Sequence, residues 1–435
     1  MSILLVKVTN QFVIVIIVII VLFYFTFICL NVNVADNESI TAPPLLLNGR
    51  KRPQQGYIVR VDLEKNCGDI ENIMIENCLK YLDDNEDDYM ISFPTTAGVS
   101  PPPLCNRDHS PMLFHVFWKG QITDKIGLMM KSFLYSQPLD CSKLYVWLDN
   151  INNTNFNDNE HIRPLLKYSP TNIEFKFWNI VEQLSSSDIY AGWRNDYYSS
   201  KSVTLSDLVR FVVLHNYGGI YIDADVLLVR DMRPLYYANF EFSYLWSYLN
   251  EYNTAVLRLR KESQSSEMVI RGAINNKMSF HPFDIRKYLS THENSTRKET
   301  NKFIYMLPPG LFDPLWLKRD NKQPSSVLSP NLHNFTDIFN PSIIPDEIPG
   351  LDPATFDGSP LDIRNVESFF RGIFTYHWHN QWNFTIHSTS WIGVMQTAYD
   401  DFLSGKRRNL YNEYIFKDEM VKLGSTRFKK PYLKA

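Results

Sequence analysis

Two aspartates, Asp223 and Asp225, close the apolar run Gly219-Ile220-Tyr221-Ile222 with one residue between them. In an extended chain alternate side chains share a face, so both carboxylates can aim at one point. Paired hard oxygen ligands at a strand end suit Mg2+ or Mn2+, with diphosphate oxygens completing the shell. An ion held there would neutralise a diphosphate as it departs. Upstream, Asp207 and Arg210 lie three apart, which places them on one face of a helix. Their types suit sugar hydroxyls and phosphate. An Asp-x-Asp tripeptide alone decides nothing in a chain of 435 residues. An isolated Asp207–Arg210 pair is worth ~0.5 kcal/mol or less on a surface helix. The specific feature is the whole string from Ser206 to Leu235: a helix, Gly-Gly, an aromatic strand, then the carboxylate pair.

Those residues need elements to aim them. Val203 to Tyr217 reads as a helix packed by Leu205, Leu208, Val209, Val212 and Val213, and Gly218 is placed to end it in the left-handed conformation. Before it, Met112 to Trp118 and Lys143 to Leu148 are short apolar runs of the kind buried parallel strands show. Ile122 to Ser136 between them reads as a helix. Ile173 to Phe177 alternates strictly and predicts a half-exposed strand. Strands alternating with helices predict an α/β fold with a mixed, mostly parallel central sheet. In such sheets ligands bind beyond the carboxyl ends of the strands.

Composition excludes some partners and points to a compartment. The formal net charge is -3, so no broad basic surface argues for nucleic acid. Aromatic residues make up 14%, enough for ring-stacking surfaces as well as a bulky core. Phe12 to Leu30 is uncharged throughout and matches the ~20 residues a helix needs to cross a bilayer. It is longer than a signal-peptide core, and Asn31-Val32-Asn33-Val34 is a poor cleavage site, so an uncleaved anchor is expected. Lys7 precedes the run while Asp36 and Glu38 follow it, which leaves the body in the lumen. The expected organisation is a cytosolic tail at 1–11, a transmembrane anchor at 12–30, a stem at 31–105, a catalytic domain at 106–426 and a basic tail at 427–435. Beyond Cys29, the cysteines are Cys67, Cys78, Cys105 and Cys141, compatible with two disulfides in an oxidising space. Glycosylation sequons start at Asn37, Asn152, Asn294, Asn334 and Asn383.

The string Ser206-Asp207-x-x-Arg210, then Tyr217-Gly218-Gly219-Ile220-Tyr221-x-Asp223-x-Asp225, resembles the DXD region of the α-1,4-galactosyltransferase and α-1,4-N-acetylglucosaminyltransferase family. The wider group includes yeast initiating α-1,6-mannosyltransferases and glucosylating bacterial toxins. Asn253-Thr254-Ala255-Val256-Leu257 is similar to a family Asn-Gly-Ala-x-Leu strand. Leu307-Pro308-Pro309-x-x-Phe312-x-Pro314 resembles a further segment, and Tyr376-His377-Trp378-His379-Asn380 resembles a C-terminal His-x-x-Asn element. The resemblance implies a GT-A-type nucleotide-sugar-binding fold and transfer with retention of anomeric configuration. It implies Asp225 as direct metal ligand, Asp223 on ribose and metal, and His377 as a third ligand with His379 as rival. It implies Asp207, Arg210 and Asn253 on the donor hexose, and Trp118 and Tyr221 on the nucleotide.

The expected activity is transfer of galactose or N-acetylglucosamine from a UDP-sugar to a glycan or glycolipid acceptor, with Mn2+ or Mg2+ as cofactor, at the Golgi membrane as a single-pass type II protein. Metal and Arg210 would stabilise the departing diphosphate, and no enzyme nucleophile identifies itself. A GDP-mannose-dependent mannosyltransferase shares the architecture. An inactive lumenal glycan-binding or scaffold protein is the rival of another class. The sequence leaves the acceptor and the oligomeric state open.

Overall fold

The computed structural model describes residues 46–47 and 50–51 and, between 111 and 406, all but short gaps and the stretches 194–201, 316–333 and 342–372. The chain divides into two compact units, Met1–Pro43 and Pro44–Ala435, and every described residue lies in the second. The expected anchor at 12–30 and the basic tail fall outside the described residues, as does nearly all of the stem. Among the described residues no helix is long and apolar enough to cross a membrane.

Seven strands form the central sheet. In chain order they are β1 (Met112–Lys119), β2 (Ser142–Asp149), β3 (Ile173–Phe177), β4 (Gly219–Ile222), β6 (Glu241–Leu245), β7 (Tyr252–Leu259) and β8 (Ile304–Leu307). Their spatial order is β8-β6-β7-β4-β1-β2-β3. All neighbours pair in parallel except β7, which is antiparallel to both β4 and β6. The sheet is therefore mixed and mostly parallel, as expected. A separate two-stranded ribbon joins β5 (Val226–Leu228) to β9 (Thr375–His377).

Pleating sends alternate residues to opposite faces. Phe114, Val116, Ile220 and Ile222 enter one core, with helices α1 (Asp124–Ser136) and α4 (Trp391–Leu403) covering them. Phe117, Tyr221 and Leu257 enter a second core under α2 (Ser202–Tyr217) and α3 (Gln264–Asn275). With helices on both faces, inner strands are buried on both, and β7 is buried along its whole length although it carries Asn253, Thr254 and Arg258. The edge strand β3 is partly exposed, as expected, but burial falls from Ile173 to the exposed Phe177 and does not alternate, because the strand runs out from under its covering elements. Helix α1 begins two residues later than expected, because Thr123 is extended and Asp124 takes the first turn, where a carboxylate meets the positive end of the helix dipole.

The turn from α2 into β4 depends on its two glycines. Gly218 has φ +68 and Gly219 φ +114, and a Cβ on Gly219 would lie 2.4 Å from the Leu113 carbonyl oxygen. The Gly218 carbonyl accepts a hydrogen bond from His115 Nε2 at 2.8 Å, while His115 Nδ1 accepts from the Trp147 indole at 3.1 Å. That arrangement requires the neutral Nε2–H tautomer. Burial pushes the His115 pKa down to about 4, so the ring is uncharged at neutral pH.

The chain runs outward from β1 through β2 to β3, then returns by α2 to place β4 on the other side of β1. The direction of winding reverses between β1 and β4, where open α/β sheets leave a crevice at the carboxyl edge. Trp118 is the penultimate residue of one of these strands and Asp223 follows the other.

Candidate functional site

A cavity of about 470 Å³ opens at this edge. Trp118, Asp207, Arg210, Asp223, Asp225, Asn253 and His377 all line it, so the fold gathers seven of the eight residues singled out in the sequence. The eighth, Tyr221, is corrected. It has no exposed surface and lies on the helix-covered face of β4, its hydroxyl 3.0 Å from Ser206 Oγ and the Arg210 guanidinium 5.1 Å above its ring. Tyr221 supports Arg210 from beneath and does not touch a nucleotide in the cavity.

Arg210 organises the donor side. Its Nη2 lies 2.9 Å from Asp223 Oδ1 and 3.1 Å from Asp207 Oδ1, and its Nη1 donates to Thr254 Oγ1. Its Nε donates to the Ser206 carbonyl at 3.3 Å. Most of the guanidinium donors are thus committed within the protein, and the side chain holds Asp223 in place as much as it faces a ligand. Burial raises the Asp207 carboxyl to about 6 despite the guanidinium beside it. Burial likewise raises Asp223, and the neighbouring Asp225 adds to the effect. Asn253 is the second residue of β7, its Oδ1 fixed by the Ala255 N–H at 3.0 Å.

Asp225 is positioned by the ribbon. Pairing of β9 with β5 sets His377 against Val226, and the Trp378 N–H binds the Asp225 carbonyl at 3.1 Å. His377 Nε2 then stands 3.2 Å from Asp225 Oδ2. The backbone next turns through two left-handed residues, His379 (φ 51) and Asn380 (φ 59). This turn brings the Asn380 N–H to Asp225 Oδ2 at 2.6 Å. Burial works against an ionised Asp225, but His377 and the Asn380 N–H hold its carboxyl down to about 2. Burial alone would lower His377; Asp225 and Asp313 outweigh it and raise it to about 10.

The donor set fits a divalent cation. Two cis ligands of an octahedral ion at about 2.1 Å lie about 3 Å apart, close to the His377–Asp225 separation. Behind His377, Asp313 is 1% exposed, with Oδ2 3.6 Å from His377 Nδ1 and 2.6 Å from His379 Nε2. Its Oδ1 is buried without a hydrogen-bond partner. The far nitrogen, His377 Nδ1, pairs with the Tyr244 hydroxyl at 3.3 Å, with the Asp313 charge just beyond it, and such groups fix the tautomer of a ligating imidazole and aim its near nitrogen. Ligand atoms of Asp313, His377 and His379 lie within 4.8 Å of one another. This geometry separates the two histidines: Nε2 of His377 faces Asp225, whereas His379 Nε2 faces Asp313. A loop anchor completes the wall. Lys125, in the first turn of α1, donates to the carbonyls of Gln381 (2.6 Å) and Trp382 (2.7 Å). Trp382 in turn packs 4.8 Å from Trp118.

Ser206 and Thr254 fall within motif strings of the sequence that give neither a role, and Asp313, Lys125 and Trp382 are not singled out by it. Asp313 had a signal, as the one acid inside the Leu307 to Pro314 segment already noted. Thr254, Lys125 and Trp382 act through contacts at least 44 residues away in sequence, which no local pattern records, whereas Ser206 bonds Arg210, Tyr221 and Asp223 close by.

Two family models match parts of the chain. Residues 187–296 match the model of a capsular polysaccharide synthesis protein family. No curated protein sequence matches the chain. Solved structures similar to it include the PaToxG glycosyltransferase, 18% identical over 41% of this chain and 69% of that one, with a TM-score of 0.30. GlyE of Streptococcus pneumoniae TIGR4 is 12% identical over 71% of this chain and 67% of its own, with a TM-score of 0.35. The UDP-bound glycosyltransferase domain from the YGT toxin is 10% identical over 38% and 62%, with a TM-score of 0.27. Residues 123–241, which take in α1, α2 and the Asp223-Ala224-Asp225 strand end, match the family model described as a glycosyltransferase sugar-binding region containing a DXD motif.

Proposed function

We propose that this chain is a metal-dependent glycosyltransferase that moves galactose or N-acetylglucosamine from a UDP-sugar to a glycan or glycolipid acceptor, with retention, in the Golgi lumen. The observation that carries the reading is the placement of Asp225 Oδ2 3.2 Å from His377 Nε2, beside an Arg210–Asp223 pair at 2.9 Å. Asp225 and His377 would hold Mn2+ or Mg2+, with Asp223 beside them. When bound, the ion supplies charge stabilisation to the departing diphosphate. Trp118, at the carboxyl end of β1, offers its ring to the uracil. Asp207 and Asn253 accept the donor hexose hydroxyls, and Arg210 keeps Asp223 in register with them. The ion pairs among these groups are fixed before substrate arrives, so little reorganisation is needed at the moment of bond cleavage.

The Golgi address rests on the uncharged run 12–30 and on Cys141, which is disulfide-bonded to a cysteine outside the described residues. A disulfide fits an oxidising lumen. The sequons at Asn334 and Asn383 are exposed, as acceptor sites must be.

Thermal melting with UDP or GDP, each with Mn2+, tests the reading. UDP with Mn2+ at a hundred times its Kd should stabilise the protein by ~2.7 kcal/mol, and EDTA should remove the effect. Stabilisation by GDP and not UDP would move the donor to GDP-mannose. Donor hydrolysis across a panel of nucleotide sugars then names the sugar. Unchanged Mn2+-dependent hydrolysis in Asp225→Asn would refute the metal assignment.

A further inference from the structure

Part of the cavity wall is left unused by the donor chemistry. Trp246, His281 and Pro282 line it on the side away from Trp118. Their positions follow from strand order. Along the carboxyl edge of the sheet the sequence of strands is β1, β4, β7, β6. Trp118 is the penultimate residue of β1, Asp223 follows β4, Asn253 is the second residue of the antiparallel β7, and Trp246 follows β6. With strands ~4.8 Å apart, Trp246 stands three strand spacings, or ~14 Å, from Trp118. A donor laid with base, diphosphate and hexose against the first three strands brings its sugar end toward Trp246.

The wall there is aromatic and rigid. The Trp246 ring stacks on Phe283 at 5.3 Å and 25°, and His281 packs 4.9 Å from Phe283. Phe283 keeps 51% of its surface exposed, more than a core residue of this size should. Two elements contribute, and they are tied together. The hairpin after β6 is closed by the Trp246 N–H on the Glu251 carbonyl at 2.9 Å. Arg286, from the helix Pro282–Tyr288, reaches the Glu251 carboxylate at 3.8 Å. His281 caps that helix by accepting from the Phe283 N–H. A ring held this way loses little freedom on binding.

A pyranose carries hydroxyls around its rim and C–H bonds on its faces, so an aromatic plane is the natural partner for one face. We propose that the Trp246–Phe283 ledge, with His281 at its border, is the acceptor subsite and takes the apolar face of a pyranose at the end of a glycan or glycolipid. This rests on the donor reading above, because strand order identifies the acceptor side only once the donor side is assigned.

The test uses the full chain in detergent with UDP and Mn2+, and saturation-transfer NMR with lactose, chitobiose and mannobiose, each free and as its octyl glycoside. At least one disaccharide should bind through the ring protons of its terminal sugar. Trp246→Ala should weaken that binding about tenfold, and Trp246→Phe should restore most of it. Tighter binding of the octyl form in both the parent and Trp246→Phe would assign a lipid-linked acceptor, and equal binding a free glycan. Undiminished binding in Trp246→Ala overturns the proposal, as does absence of any disaccharide signal in a parent protein that binds UDP with Mn2+. Failure of the parent to bind UDP with Mn2+ instead overturns the donor reading, and this subsite with it.

Discussion

Asp313 shows how much a single buried carboxylate can organise. It serves His377 and His379 at once, and no solvent reaches it. Asp313→Asn keeps the shape and removes the charge that aims His377. Loss of such an outer partner typically costs 10–100-fold in metal affinity. Titration of Mn2+ followed by its electron paramagnetic resonance should show a loss of that size; a purely structural role would lower the melting temperature and leave the Mn2+ titration alone. His115 makes a different residue-scale prediction. Its folded pKa lies at about 4 against 6.5 for the free side chain. The unfolded chain therefore binds the extra proton first as pH falls. Stability is complete above pH 6.5 and falls by about 3 kcal/mol by pH 4. The difference in unfolding free energy between the parent and His115→Gln, followed from pH 7 to 4, should shrink by about that amount.

At the scale of elements, the site depends on a loop that its own sequence does not hold. The turn at His379 and Asn380 is left-handed at two successive residues, a conformation that costs ~1–3 kcal/mol each and persists only where the surroundings impose it. Part of that imposition comes from α1. Lys125 is 1% exposed and holds two carbonyls of the loop, with its ammonium 4.5 Å over the Phe339 ring. Burial lowers its pKa, the main opposing influence being Asp124. Lys125→Met preserves the apolar stem and leaves those carbonyls unpaired. Loss of the charge-assisted bonds should cost ~1.5–3 kcal/mol in urea unfolding. Calorimetry should also show weaker binding of UDP with Mn2+, since the same loop delivers the Asn380 N–H to Asp225.

The whole molecule is expected to work from a membrane. The run 12–30 should keep the full chain in the pellet through an alkaline wash, and a chain starting at residue 31 should be released; fractionation after each treatment checks both. That orientation would put the described body in the lumen, where the exposed Asn383 would be open to glycosylation. Enzymatic deglycosylation should then lower the mass of the parent by more than that of Asn383→Gln.

Local patterns made much of this protein legible. The alternation of apolar strands and helices set the layered α/β class, because burial on both sheet faces demands continuous apolar runs. Gly218-Gly219 and the two aspartates marked the strand end, because only glycine fits where a Cβ would meet the Leu113 carbonyl. Other features had no local trace. Which histidine faces Asp225 depends on pairing between β5 and β9, some 150 residues apart, and on a buried acid from a third segment. Tyr221 and Asp223 share strand parity, yet one is capped by a helix and the other lies past the strand end; only packing tells them apart. Residue type and spacing by themselves marked Asp223 and Asp225 as a pair at a strand end, but they are presented by a turn after Ile222, closed by the Val226 N–H on the Asp223 carbonyl, and not by the extended chain expected. The tertiary structure alone decided what they meet there, because Arg210, His377, Asp313 and Lys125 reach them through contacts that close only when distant segments pack.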